Sequence, residues 1–225
     1  MALNIEYLKQ RHTGRWIALI ILIVVIAAAG WYGYKWYTTG DLPVDVPIAS
    51  ANSSVDESPV TSTEIDEYIV EPMQARYINI PSLDVQNTRI YPVGLDANNL
   101  LTAPANINDV VWYKTSGTPG NGGVLLMQGH NVGINKNGVF YKLSTLVKGD
   151  TITIQRGDGE KFVYSVVENN SMSIEQVNAT GMKSMGVSAE PGKEALNLMT
   201  YDGTWVPRLG MFDRRTMVRA VLNEN

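Results

Sequence analysis

The chain has 225 residues, 44% hydrophobic and 18% charged, with a formal net charge of −4, which gives room for one sizeable domain plus an anchor and a linker. The acidic balance argues against nucleic acid as a partner, since phosphates need a basic surface. No cysteine is present, which removes disulfides, thiolate zinc sites and thiol chemistry together.

His12 and His130 are the only histidines, and no calcium-loop spacing of carboxylates occurs. Neither a metal nor a cofactor is therefore expected. Near the N-terminus, Trp16 to Tyr34 reads WIALIILIVVIAAAGWYGY without a charge. At about 1.5 Å per residue such a run crosses a hydrocarbon core of roughly 30 Å. Residues 16–37 are predicted to be a transmembrane anchor, with Trp16 at one interface and Trp31, Tyr32, Tyr34, Trp36 and Tyr37 at the other. Lys9, Arg11 and Arg15 precede the run and Lys35 follows it. The positive-inside rule then leaves residues 1–15 in the cytoplasm and sends the rest outside, as a single-pass protein of the cell membrane. The alternative is a cleaved signal peptide, for which Ala27, Ala28 and Ala29 offer small residues. The body of the protein is exported in both cases.

Residues 38–72 are rich in proline, serine, threonine and acidic residues. Such a stretch buries too little apolar surface to offset its ordering entropy, and a flexible extracytoplasmic linker is predicted. Within it, Ile65–Val70 could form a short helix or clip onto the domain.

Residues 73–225 change character. Short strand-like runs follow one another: ARYINIP, TRIYPVG, DVVWYK, GGVLLMQGH, DTITIQ, KFVYSVVE, ALNLMTY and RTMVRAV. Thr151, Ile152, Thr153 and Ile154 alternate as a half-buried strand does, and Arg156–Gly159 (RGDG) reads as a hairpin turn. About eight short strands predict a mostly β, closed or sandwiched domain. Phe140–Val147 has the spacing of one short helix.

The order of these motifs resembles the sortase family, the transpeptidases that attach exported proteins to cell walls or build pili. The resemblance runs from about Arg76 to Val221. INIPSLDV and IYPVGLD are similar to the family's opening strands, and NDVVWYKTSGTPGNGGVLLMQGH to the segment ending on its catalytic histidine. GVFYKLSTLVKGDTITI resembles the helix and strand that follow. ALNLMTYDGTW and DRRTMVRAVL resemble the strands bearing the nucleophile and an arginine. VVWY and GTW lean toward the class E or F type. What the resemblance implies is a closed β-barrel of about eight strands with one or two short helices. It also implies, as partners, exported proteins bearing C-terminal sorting signals such as Leu-Pro-x-Thr-Gly.

The resemblance implies roles for individual residues. His130 stands at the position of the histidine that protonates the leaving amine. Arg215 stands where a guanidinium steadies the developing oxyanion or a substrate carbonyl. Strand alternation sends Arg214 to the opposite face. Leu196–Tyr201 (LNLMTY) aligns with a run that ends in cysteine, so Tyr201 occupies the nucleophile's position. A phenol has a pKa of about 10 against about 8.5 for a thiol, and its oxygen lies several ångströms farther from the backbone. Tyr201 is therefore expected to fill the groove, its hydroxyl bonding to His130, Arg215 or water, and not to attack. Thr200 faces the opposite way, Thr204 lies on a loop, and neither is expected to replace the thiol. Thr200 and Asp202 are expected to flank bound substrate, Asp202 by capping the loop. A single base separates cysteine from tyrosine codons, so recent loss and a retained binding role both fit. Three functions stay open: a sortase-type transpeptidase lacking its nucleophile, a non-catalytic module that binds peptide or partner, and an anchored barrel with no peptide site.

Overall fold

The computed structural model describes residues 13–39, 55–94 and 102–224. Lys9, Arg11 and His12, the linker from 40 to 54, and the Leu95–Asp96 end of IYPVGLD lie outside the described residues. The described chain forms two compact units, one containing the N-terminal helix and the other the β domain.

Helix α1 spans Thr13–Thr39. Its stretch Trp16–Thr39 is long and apolar enough to cross a membrane. The large apolar side chains from Trp16 to Ile26 are exposed, as expected of a helix that is apolar all round.

Eight strands close into a barrel: β1 (Ala75–Ile80), β2 (Val85–Val93), β3 (Val110–Tyr113), β4 (Val124–Gly129), β5 (Thr151–Arg156), β6 (Lys161–Ser173), β7 (Ala195–Val206) and β8 (Met211–Leu222). The order around the barrel is β1-β2-β3-β4-β7-β8-β6-β5, closed by antiparallel pairing of β5 with β1. Two pairs are parallel, β2 with β3 and β4 with β7. All eight predicted strands are present. Ile152 and Ile154 of β5 point into the barrel while Thr151 is exposed, as the period of two requires. The predicted hairpin follows: Gly159 takes a φ of +93°, which suits a residue without a Cβ.

The barrel interior is filled by Ile78, Ile80, Ile90, Leu125, Met127, Tyr164, Leu196, Leu198 and Val218, among others. Buried Glu194 ties the connection before β4 to this core. Its carboxylate accepts the Gly120 and Gly122 N–H groups at 2.9 and 2.7 Å and the Tyr164 hydroxyl at 2.5 Å. Phe140–Val147 holds a short helix of the 3-10 type, over Leu143–Thr145. Phe140, Leu143 and Leu146 are buried, and a strict spacing of three suits a 3-10 turn, whose side chains eclipse at i and i+3. Between β6 and β7 the chain makes a helical excursion that the strand pattern does not foretell. It consists of α3 (Ile174–Gln176), a π-turn (Val177–Gly181) and α4 (Met182–Met185). Ser173 and Gln176 form a capping box at its start.

Residues 55–74 lie against the barrel, although their composition predicts a flexible linker. Helix α2 (Ser62–Asp66), capped by Thr61 and Glu64, supplies the Ile65 carbonyl to the Tyr77 hydroxyl. The Tyr68 hydroxyl donates to Ile90 O at 2.5 Å, and Arg76 Nε to Tyr68 O at 2.7 Å. The buried Tyr77 ring and the half-buried Tyr68 ring supply apolar contact that a count of small polar residues overlooks. Upstream, Asp56 bridges Asn106 in parallel fashion. The Glu57 carboxylate accepts the N–H groups of Ile134 and Asn135, and Lys136 Nζ donates to Glu57 O at 2.9 Å. This strap therefore holds two loops, 104–108 and 131–137. We expect Glu57→Ala to speed amide exchange at Ile134 and Asn135 by about fivefold, and Glu57→Gln, which keeps an acceptor oxygen, to restore most protection. Hydrogen-exchange mass spectrometry of the three chains checks this, and equal exchange in all three contradicts it.

Candidate active site

His130 follows directly on β4. That strand runs parallel to β7 with Val124 opposite Ala195 and Gln128 opposite Met199. Continued by two residues, the same register sets His130 beside Tyr201. Thr200 fixes the approach, its hydroxyl donating to Gly129 O at 2.9 Å. The His130 backbone is held as well, since Phe140 N–H donates to His130 O at 2.9 Å. Gly138 passes so close that a Cβ there would lie 2.3 Å from His130 O.

The His130 side chain is 3% exposed. Its Nε2 lies 2.7 Å from Pro104 O. A carbonyl only accepts, so Nε2 carries the proton and Nδ1 is left as the basic nitrogen of the neutral ring. Burial pushes the imidazole below its ordinary pKa, against the opposing effect of the Pro104 bond. Between that lowered value and the unfolded pKa of about 6.5 the unfolded chain binds the extra proton. Stability attributable to His130 is therefore complete above the unfolded pKa and is lost as pH falls toward the folded one. We expect the unfolding free energy of the unmodified chain to fall more steeply between pH 7 and pH 5 than that of His130→Asn. Denaturant titrations across that range test this, and parallel pH profiles contradict it.

Arg215 reaches the same place from β8. Its guanidinium carbon lies 4.2 Å from the centroid of the Tyr201 ring, within cation–π range. Its Nη1 donates to Phe212 O at 3.0 Å and to Arg214 O at 2.7 Å. Burial lowers its pKa, while Tyr201 and Asp213 pull it upward. Arg214 points elsewhere, with Nε 2.9 Å from Ser171 Oγ, as strand alternation predicts. The Tyr201 ring stacks on toward Phe212, with centroids 6.1 Å apart, and Phe212 meets Trp205 edge-on at 5.7 Å. Among the described residues no hydrogen bond joins the Tyr201 hydroxyl to His130 or Arg215. Its ring, not its hydroxyl, makes the contact with Arg215.

The residues expected to flank substrate sit differently from one another. Thr200 is 3% exposed with its hydroxyl spent on Gly129, so it braces the His130 strand and does not line an open groove. Asp202 is half-buried and accepts from Ser171 Oγ at 2.5 Å, Gly203 N at 2.8 Å and Thr216 Oγ1 at 2.9 Å. Burial raises its pKa, but these bonds and the Arg214 charge outweigh burial and hold the carboxyl below its ordinary range. Thr204 is exposed, its N–H bonded to Asp213 at 2.7 Å. Beneath the helical excursion lies a methionine-rich cluster of Val177, Met185, Met199 and Met217, flanked by Leu126 and Met172. Met172 pairs with Arg215 across β6 and β8, so a soft apolar floor adjoins the guanidinium. Sequence reasoning missed this floor, the Pro104 partner and the Glu57 strap. Only the repeated methionines carried a local signal.

Among the described residues no group of three or more His, Asp or Glu side chains could hold a metal ion. A surface cavity of about 360 Å³, lined by Lys148, Ser165, Glu190 and Lys193 among others, includes none of His130, Tyr201 and Arg215.

A model of the sortase domain matches residues 78–223. No curated protein matches the chain. Solved structures do. Sortase C1 from Streptococcus agalactiae is 20% identical, with 74% of this chain and 78% of that chain covered at a TM-score of 0.50. The lid mutant of sortase A from Corynebacterium diphtheriae is 24% identical, with 85% and 90% covered at a TM-score of 0.50. At these identities the structures share the fold.

Proposed function

Since the chain belongs to the sortase family, we propose that it is a membrane-anchored member that holds sorting-signal peptides of exported proteins at the cell surface without forming the family's thioester. Sortases act on proteins that carry such signals, and the order of motifs aligns His130 and Arg215 with the family's histidine and arginine. The observation that carries the reading is Tyr201. Motif order aligns it with the family's cysteine, in a chain with no cysteine at all, and its ring lies under Arg215. Acyl capture needs a nucleophile that is ionised or activated by a base. The imidazole of His130 is bonded to Pro104, and no hydrogen bond connects it to the phenol. Among the described residues Tyr201 is thus without a hydrogen-bonded base. An extended peptide could still lie along the strand ends and be gripped by Arg215 and the apolar floor.

The helix α1 serves as the anchor in this reading, with the N-terminus cytoplasmic and the barrel outside. VVWY and GTW support the class E or F type. The test is a binding titration of the full chain in nanodiscs with a fluorescent Leu-Pro-Ala-Thr-Gly peptide, followed by chromatography of the peptide. Saturable binding with the peptide recovered intact is the expected result. Cleaved peptide overturns the non-catalytic reading, and absence of binding leaves an anchored barrel without a peptide site.

A further inference from the structure

Among the described residues no carboxylate forms an ion pair with Arg215, whereas Arg89, Arg156 and Arg219 each have a carboxylate oxygen within 2.5–2.9 Å. The acidic residues of β7 and β8, Asp202 and Asp213, are engaged elsewhere. Asp213 accepts the Thr204 N–H at 2.7 Å, and Asp202 is occupied by Ser171, Gly203 and Thr216.

The guanidinium is also fixed in orientation. Both N–H bonds of Nη1 are directed to the Phe212 and Arg214 carbonyls, and the Tyr201 ring covers a face at 4.2 Å. The remaining edge, Nε–H beside Nη2–H, has no partner. It is not sealed off, because the buried side-chain atoms without partners are Asn197 Oδ1 and Arg219 Nε. Among the described residues this half-buried arginine therefore keeps two roughly parallel donors unpartnered, in a plane set by its other contacts. That is the geometry a carboxylate meets with both oxygens.

We propose that the open edge of Arg215 is a receptor for a carboxylate, so that the peptide held here presents a free acid group to it. The inference rests on the peptide-binding reading above and narrows it. A peptide carbonyl would accept one donor and leave a partly desolvated positive charge uncompensated. A carboxylate accepts both and cancels the charge, so acids outcompete amides at this edge. Two sources offer the same chemistry: the terminal carboxylate of a peptide, such as one ending at the threonine of a sorting signal, and an acidic side chain within a longer one.

The experiment compares three fluorescent peptides on the full chain in nanodiscs of uncharged lipid at 0.15 M salt: Leu-Pro-Ala-Thr with a free carboxylate, the same peptide as its carboxamide, and a carboxamide extended by one aspartate. The free acid is expected to bind about tenfold more tightly than the carboxamide. In Arg215→Gln that ratio falls to about twofold or less, and a circular dichroism spectrum and thermal unfolding curve like those of the unmodified chain show that the variant is folded; Arg215→Lys, a point charge without a fork, falls between. Tight binding of the aspartate peptide supports carboxylate recognition and assigns it to side chains as well, whereas weak binding confines it to chain ends. Equal affinity of acid and carboxamide for the unmodified chain overturns the inference while leaving peptide binding intact. An acid preference that survives in Arg215→Gln removes it from Arg215. Failure of all three peptides to bind overturns both readings together.

Discussion

Tyr201→Cys is expected to turn a chain that leaves sorting-signal peptides intact into one that cleaves them and joins the product to an added amine. The gain should be on the order of a thousandfold over the unmodified chain, since loss of a nucleophile from an otherwise assembled site costs at least that much. Three features make the gain large. The β4–β7 ladder runs to Gln128 opposite Met199, and its register extended by two residues brings position 201 toward His130. Arg215 already lies 4.2 Å from the ring centroid of residue 201, so a thiol there would have a cation close by, which favours the thiolate. The shorter side chain would also free the volume that the phenol ring now fills. Activity is measured with a quenched fluorescent peptide and triglycine, by separate quantitation of hydrolysis and transfer. A folded but inert Tyr201→Cys chain would mean that more than the nucleophile is missing, and the anchored-barrel reading would gain. Tyr201→Phe should stay inactive, since it removes only a hydroxyl to which the proposed function gives no part.

Arg89→Met should cost about 3–5 kcal/mol of stability, the penalty for stranding a buried partner. Arg89 reaches Asp109 with two parallel bonds, Nε to Oδ1 at 2.9 Å and Nη2 to Oδ2 at 2.8 Å. The side chains are only 11% and 5% exposed. Burial pushes the Asp109 carboxyl up more strongly than Arg89 pulls it down, so removal of the arginine leaves a carboxylate with little solvent to replace it. The double variant Arg89→Met with Asp109→Leu should recover most of the loss, since an apolar pair is often as stable as the ion pair it replaces. The site is affected as well. Asp109 ends the segment whose Pro104 carbonyl meets His130 and directly precedes β3, whose Val110 pairs with Ile90 of β2. Urea titration of the single and double variants measures the effect. A loss below about 1 kcal/mol in the single variant would show the pair to be solvated and the loop to be held by other contacts.

The sequence was most legible where the chemistry is local. Thr151–Ile154 alternates on its face, RGDG turns, and the eight β-prone runs became eight strands because each pairs an apolar face with flanking turn residues. Strands β6, β7 and β8 run longer than their apolar cores suggest, because ladder hydrogen bonds continue through polar residues such as Asn169, Asn170 and Ser171. Phe140–Val147 does hold a short helix, of the 3-10 type, and a spacing of three does not tell it from a short α-helix. The strap was hidden for another reason: its composition is that of a linker, and its docking depends on Tyr68, Tyr77 and Glu57 meeting partners far along the chain. The Glu57 contact spans 77 residues and the His130 contact with Pro104 spans 26, distances at which no periodicity operates. His130, Tyr201 and Arg215 were singled out through motif order, and the stacking of the Arg215 guanidinium on the Tyr201 ring could not be read from spacing.

The account depends on the phenol at position 201 being unable to capture an acyl group. Intact-mass spectrometry of the unmodified chain, after prolonged incubation with Leu-Pro-Ala-Thr-Gly peptide and no amine, tests this most directly. An unchanged mass beside a trapped acyl adduct in Tyr201→Cys is the predicted result, and an adduct on the unmodified chain mapped to Tyr201 would contradict it.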